Sequence, residues 1–267
     1  MRLSTSTLPA VLTTLISTTS AHGRITNITT SSGTVYPGWD PATPQSLLAT
    51  PLAAWRASNL GNIFVKPSQF NTSDIICHYN ATPGALHIPT TAGSTLKVQW
   101  NEWPVSHKGP VLTYLADCAG SCVDVDKEKL EWVKIDEVGW LNSSGVDVVP
   151  LGGTWGSDVL IANKASWMVK IPESLNEGNY VLRHEIIALH VAEQVNGAQA
   201  YPQCVNLKVA SSGSRDVKKL EGGVVGENLY GIRDKGVLVD IHGNVTSYEI
   251  PGPMVWEFAT RFEQPNE

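Results

Sequence analysis

The sequence predicts an all-β domain of the sandwich or barrel class. Three observations carry this. Short apolar runs alternate with polar residues at period two. Clusters of Gly, Pro, Asn and Ser separate them. No stripe of apolar residues at helical spacing runs for 12 positions or more. Composition agrees: of 267 residues, 42% are hydrophobic and only 16% charged, against a typical charged share of about 25%. Such a chain is not disordered and is not a coiled coil. Its net charge of -6 argues against a nucleic-acid partner, because phosphate binding needs a basic face. No apolar run reaches the roughly 18 residues of a membrane span.

In chain order, the first segment is not fold. Met1 to Ala21 reads as a secretory signal peptide, with Arg2 as the positive end, Leu8 to Ile16 as a short apolar core and Thr19-Ser20-Ala21 as small residues before a cleavage point. The competing reading is a disordered Thr/Ser tail. Cleavage makes His22 the N-terminus of one domain, 22–267, with no carbohydrate-binding module visible. Five Asn-x-Ser/Thr sequons, at Asn27, Asn71, Asn80, Asn142 and Asn244, fit a secreted, extracellular glycoprotein.

The strand elements follow. Leu96, Val98 and Trp100 alternate with polar partners, as do Leu130 and Trp132, then Trp167, Val169 and Ile171, then Val205, Leu207 and Val209. Turn clusters such as Asn80 to Gly84 and Pro150 to Gly156 punctuate them. The polar, Gly-rich stretch Ser211 to Gly231 reads as a long surface loop before a last strand, Val237 to Ile241. Four cysteines, Cys77, Cys118, Cys122 and Cys204, allow three pairings in a secreted chain. The Gly-containing turn Asp117-Cys-Ala-Gly-Ser-Cys122 has the spacing to close a small ring, which leaves Cys77 and Cys204 to cross-link distant parts. A four-Cys zinc site is the poorer reading, since paired C-x-x-C knuckles are missing.

Among the seven His, His78, His87 and His242 read as ordinary surface or core residues. The stretch His184-Glu-Ile-Ile-Ala188 fails the zinc-protease pattern H-E-x-x-H, because position 188 is Ala. Read as a strand, residues 182 to 190 place their even members on one face, with His190 at the end. An N-terminal His22 offers an α-amine and Nδ1 to one metal. A second His completes three nitrogens in a plane, a set that favours Cu(II). Binding requires the amine to lose its proton, which links affinity to pH.

Seven segments together resemble a known family: His22-Gly23, Asp74-Ile-Ile-Cys-His78, Val98-Gln-Trp-Asn-Glu-Trp-Pro104, Ser106-His-Lys-Gly-Pro-Val-Leu-Thr-Tyr-Leu115, Gly178-Asn-Tyr-Val-Leu-Arg-His-Glu-Ile-Ile-Ala-Leu-His190, Gly197-Ala-Gln-Ala-Tyr-Pro-Gln-Cys204 and Ile250-Pro-Gly-Pro253. In this order they are similar to the fungal lytic polysaccharide monooxygenases of auxiliary activity family 9, formerly a glycoside hydrolase family. The resemblance implies an immunoglobulin- or fibronectin III-like β-sandwich with long surface loops. It implies one copper per chain, held by a histidine brace of His22 and His107 with Tyr201 axial, while His190 and Gln199 hydrogen-bond the oxygen species. It pairs Cys77 with Cys204 and Cys118 with Cys122. Ala200 departs from the family, which usually carries a larger residue there.

The implied activity is oxidative cleavage of a β-1,4-glucan such as cellulose at C1 and/or C4. It uses O2 or H2O2 and an external electron donor, either a small reductant or a cellobiose dehydrogenase-like protein, and the expected enzyme is a monomer. For substrate contact, Tyr230 resembles a surface tyrosine of the family, and Tyr36 and Trp39 are further candidates. Two rival readings fit the sequence less well. A glycoside hydrolase needs paired carboxyls; Asp74, Glu102 and Glu185 are present but form no paired motif. A non-catalytic copper- or carbohydrate-binding secreted protein has no need of Gln199 and His190 as an oxygen-orienting pair.

Overall fold

The computed structural model describes residues 23–44, 50–61, 63–143 and 151–265. The signal peptide expected over Met1 to Ala21, and His22 itself, lie outside the described residues. The architecture is an immunoglobulin-like sandwich of two main sheets. The small sheet contains β1 (Ile25–Thr30), β2 (Val35–Pro37), β4 (Thr95–Trp100) and β9 (Ser166–Lys170), in the order β2-β1-β4-β9. The large sheet contains β3 (Ile88–Thr91), β5 (Val111–Asp117), β6 (Glu131–Val138), β10 (Gly178–Ala188), β12 (Gln203–Ala210) and β13 (Val224–Val225), in the order β13-β6-β5-β10-β12-β3. A further strand, β11 (Gln199–Ala200), pairs with β10. β7 (Trp140–Asn142) and β8 (Thr154–Trp155) form a small ribbon. The described helices are α1 (Asp74–Cys77), α2 (Gly156–Ala162) and a few single 3-10 turns.

Period two works where one face of a strand meets solvent. On β4, Leu96, Val98 and Trp100 are buried and the residues between them are not. Ile28, Val98 and Trp167 lie abreast across the small sheet. Val133, Leu115, Leu182 and Val205 form the facing row on the large sheet. These rows are the sandwich core.

The large sheet is also covered on its outer face. Leu112, Tyr114, Trp132, Val181 and Ile187 pack there against α1, through Ile76, and the loops that carry Trp55, Val65, Phe70, Leu229 and Tyr230. Accordingly β5 is buried through its first six residues and β10 over Tyr180–Ala188, the pattern of a strand with two dry faces. Two disulfides are present. Cys77–Cys204 ties α1 to β12, and Cys118–Cys122 closes the turn after β5.

Two expectations are corrected. Val237 to Ile241 is turn and irregular backbone, not a strand. Val237 and Ile241 are buried in the outer core, and the Val239 amide donates to the Ala192 carbonyl (2.9 Å) instead of entering a ladder. Ser211 to Gly231 is not wholly surface loop, since it contributes β13 and buries Leu229 and Tyr230.

Candidate active site

The candidate residues come together at one end of the sandwich, where β10 finishes and the loop between β4 and β5 passes over it. That loop carries His107. Its turn is fixed by His107 N–H to the Pro104 carbonyl (2.9 Å) and by the Trp103 indole N–H to the His107 carbonyl (2.8 Å). Gly109 then runs against β10. A Cβ there would stand 1.9 Å from the Ile187 carbonyl oxygen, so only glycine permits the approach. α2 braces the loop from behind: Ser157 N–H donates to the Gly109 carbonyl (3.1 Å), and the buried Lys108 ammonium meets the Asp158 carboxylate at 2.6 Å.

His190 follows β10 by two residues, and its ring lies 4.0 Å from that of His107, centre to centre. Beyond it the chain reverses. Gly197 crosses so close to the Val191 carbonyl that a Cβ would sit 1.6 Å from it. The return strand β11 pairs Gln199 with Ala188 and Ala200 with Ile187. Gln199 and Tyr201, two apart on extended chain, share a face. The Tyr201 hydroxyl donates to Gln199 Oε1 at 2.8 Å. Both side chains are buried. Burial holds the Tyr201 phenol above its usual range, so it is a neutral hydroxyl near neutral pH. Ala200 faces the outer core, where Val65 pairs with it through two backbone bonds of 2.9 and 3.0 Å. The residue that departs from the family pattern is therefore packed away from the site.

Trp103 is the residue that sequence reasoning did not single out as part of the site. Its ring meets Tyr201 edge-on at 5.1 Å, His107 at 6.0 Å and Trp100 at 5.8 Å. Gly23 is buried against the same group: a Cβ on it would come within 3.0 Å of both Trp100 and Trp103 and 2.8 Å from the Glu102 carbonyl. The next residues are tied down as well. Arg24 N–H donates to Asn101 Oδ1 (2.6 Å) and Ile25 N–H to Gln203 Oε1 (2.8 Å). The start of β1 thus lies on the tryptophan that backs His107 and Tyr201. The signal available in the sequence was the Trp-Pro-x-x-His spacing of residues 103–107.

Among the described residues, no three His, Cys, Asp or Glu gather as a metal site. The donors that do meet suit copper nonetheless. Ser106 Oγ lies 3.1 Å from His107 Nδ1. With the proton on Nδ1 donated to that hydroxyl, Nε2 is the nitrogen whose lone pair suits a metal, the usual state of a ligating imidazole. His22, the other expected ligand, lies outside the described residues.

Other candidates lie elsewhere. Tyr230 is corrected: it is buried and donates to Glu185 Oε2 (2.5 Å) while bonding the Tyr114 hydroxyl (2.8 Å), so neither ring face is open to a sugar. Tyr36 is half-buried on the edge strand β2 and packs on the sandwich core. Trp39 donates its indole N–H to the Ala57 carbonyl (2.7 Å) beneath the Arg56 guanidinium. Asn71, Asn80, Asn142 and Asn244 are exposed, and Asn27 is half-buried on β1. Glu185 is sealed in an ion pair with Arg183, which removes it as a hydrolytic acid.

The family model of Auxiliary Activity family 9 (formerly GH61) matches residues 22–248. The chain is 45% identical over 251 residues to AA9 family lytic polysaccharide monooxygenase I of Botryotinia fuckeliana, covering 94% of this chain and 90% of that one. It is 47% identical over 255 residues to AA9 family lytic polysaccharide monooxygenase A of Talaromyces verruculosus, covering 94% and 74%. Among solved structures, the extended catalytic domain of H. jecorina LPMO9A superposes with a TM-score of 0.81 at 45% identity, over 92% of this chain and 97% of that one.

Proposed function

Because the chain belongs to Auxiliary Activity family 9 and is therefore a lytic polysaccharide monooxygenase, a copper-dependent oxidoreductase, we propose that it oxidatively cleaves β-1,4-glucan chains, cellulose first, at C1 and/or C4. In this reading His22 and His107 would hold the copper, with Tyr201 offering a further oxygen. His190 and Gln199 orient the oxygen species. The observation that carries it is the convergence of His107, His190, Gln199 and Tyr201 at one end of the sandwich, with Gly23 buried behind them on Trp103. Consecutive Cα atoms are about 3.8 Å apart, so His22 is bound covalently to a residue already at the site.

Copper supplies one-electron chemistry with O2 or H2O2, fed by an external donor, a small reductant or a partner redox protein. The protein's part is to bind, orient and exclude water. Ser106 fixes the tautomer of His107. Trp103 and Phe64 wall Tyr201, with ring centres at 5.1 and 6.1 Å, and keep bulk water from its phenol. Gln199 Oε1 accepts a hydrogen bond from the Tyr201 hydroxyl, and its amide N–H groups are the donors it has to offer. His190 is half-buried and offers its imidazole to the same space. Such a preorganised polar shell favours turnover over storage. Secretion after removal of residues 1–21 belongs to this reading, since it frees the His22 amine.

Mass spectrometry of soluble products from cellulose with ascorbate, with and without copper, tests the proposal. Aldonic-acid or 4-keto ends that require copper are expected. Unoxidised sugars would exclude it.

A further inference from the structure

The geometry points to His242, on the irregular C-terminal segment, as a positioning residue that fixes His190 by holding its main-chain carbonyl. His242 Nε2 lies 3.0 Å from the His190 carbonyl oxygen. A carbonyl only accepts, so Nε2 carries the hydrogen and donates. The same nitrogen lies 3.5 Å from the Glu193 carboxylate, on the turn that follows His190. One exposed imidazole therefore touches both the residue expected to orient oxygen and the loop that returns to Gln199.

His242 is itself held in place. Its N–H donates to Asp240 Oδ1 at 2.8 Å, closing a tight turn. Just before it, the Ile241 side chain is wholly buried in the outer core, and the Val239 amide donates to the Ala192 carbonyl at 2.9 Å. The segment is thus stapled to the 189–192 turn at two points, Val239 to Ala192 and His242 to His190. The second is the one nearest the chemistry. His190 lies two residues beyond the last pair of β10, where the ladder no longer holds the backbone. On either side, Leu189 N–H donates to the Lys108 carbonyl (2.8 Å) and Ala192 N–H to the Leu189 carbonyl (3.0 Å), and the His242 bond takes the His190 carbonyl itself. Supporting groups of this kind commonly decide whether a site residue stays within reach of its target.

The inference rests on the role given to His190 under the proposed function, and the test separates the two. In copper-loaded enzyme starting at His22, His242→Ala should lower kcat on swollen cellulose about two- to tenfold, the worth of one modest hydrogen bond. Its KM and copper Kd should stay at wild-type values. His242→Gln, whose amide N–H reaches a similar point, should restore most of kcat. In a His190→Ala background, His242→Ala should cost nothing further, because a residue acting through another is not additive with it. Wild-type kcat in His242→Ala would overturn the inference, as would the same fold loss with His190 already removed, or failure of the Gln variant to recover rate. If His190→Ala alone left turnover intact, the reading of His190 would fall. If it lowered turnover while His242→Ala did not, only the present inference would.

Discussion

Glu185→Gln separates structure from chemistry at the most buried charge of the molecule. Arg183 and Glu185 stand two apart on β10, both facing the outer core and both fully buried. Two parallel bonds of 2.8 Å join them, Nη1 to Oε2 and Nη2 to Oε1. Arg183 also donates to the Ile75 and Ile76 carbonyls at 2.8 and 2.7 Å, and its guanidinium lies over the Tyr114 ring. The guanidinium cannot shed its proton, so neutralising Glu185 leaves a buried cation without its counter-charge. Breaking one partner of such a pair costs about 3–5 kcal/mol. At roughly 2–4 °C per kcal/mol for a domain of this size, the melting temperature should fall by about 6–20 °C. Calorimetry measures that shift. Oxidative turnover per folded molecule at 25 °C should survive, because Glu185 projects away from the sandwich core side of β10. Arg183→Met combined with Glu185→Gln should be less damaging than the sum of the two. A melting temperature within about 2 °C of wild type would refute the buried-charge argument. Loss of oxidative turnover in fully folded Glu185→Gln would instead give this carboxyl a part in the chemistry.

Three further outcomes are expected. His190→Ala and Gln199→Leu should keep a copper affinity near wild type by titration calorimetry while losing about ten- to a hundredfold in cleavage rate, with Tyr201→Phe milder. One extra residue ahead of His22 should abolish tight copper binding and the axial, nitrogen-rich paramagnetic resonance signal. Stability should fall on acidification: burial lowers His184 to about 3 and His78 to about 4, so both stay neutral in the fold while the unfolded chain takes up protons below its ordinary histidine value of about 6.5. Their stabilisation is complete above that pH and is lost as pH falls toward the folded values, at about 3 kcal/mol each by pH 4. Asp136, raised to about 6 by burial, acts in the opposite sense and returns roughly 2 kcal/mol over the same interval. Melting temperatures taken between about pH 7 and pH 4 should therefore drop, and a flat profile would contradict the buried neutral imidazoles.

How far the sequence could be read follows from where each residue's neighbours come from. β4, β9 and the end of β12 past Leu207 showed themselves because solvent on one face forces alternation, and alternation is local. β5 did not, and β10 reads as a strand only from residue 182 onward, because their second face is covered by loops far away in the chain, such as the one carrying Trp55 and Phe70. The same covering explains Tyr230. Asn228-Leu-Tyr-Gly231 has the composition of a surface turn, yet its partners Glu185 and Tyr114 lie 45 and 116 residues away. Nothing local marks such a residue as buried. The Gln199–Tyr201 pair was legible for the opposite reason: two residues on extended chain share a face by geometry alone, and the 2.8 Å bond between them needs no distant partner.

His190 and Trp103 lie between these cases. The period of β10 gave His190 its strand end, but the reach to His107 depends on Gly109 and Gly197 letting three backbone segments touch. Trp103 looked like one more core tryptophan, and it is core: 6% exposed. Its importance comes from what it separates. It stands between the sandwich interior and the residues at its rim, touching His107, Tyr201 and Gly23 at once. The site is thus built on the end wall of the hydrophobic core, so its geometry is held by the packing that folds the protein. The loop bonds at Pro104, Ser157 and Asn101 only set its angle. A cavity made under that wall should therefore loosen the proposed copper ligands before it unfolds the chain.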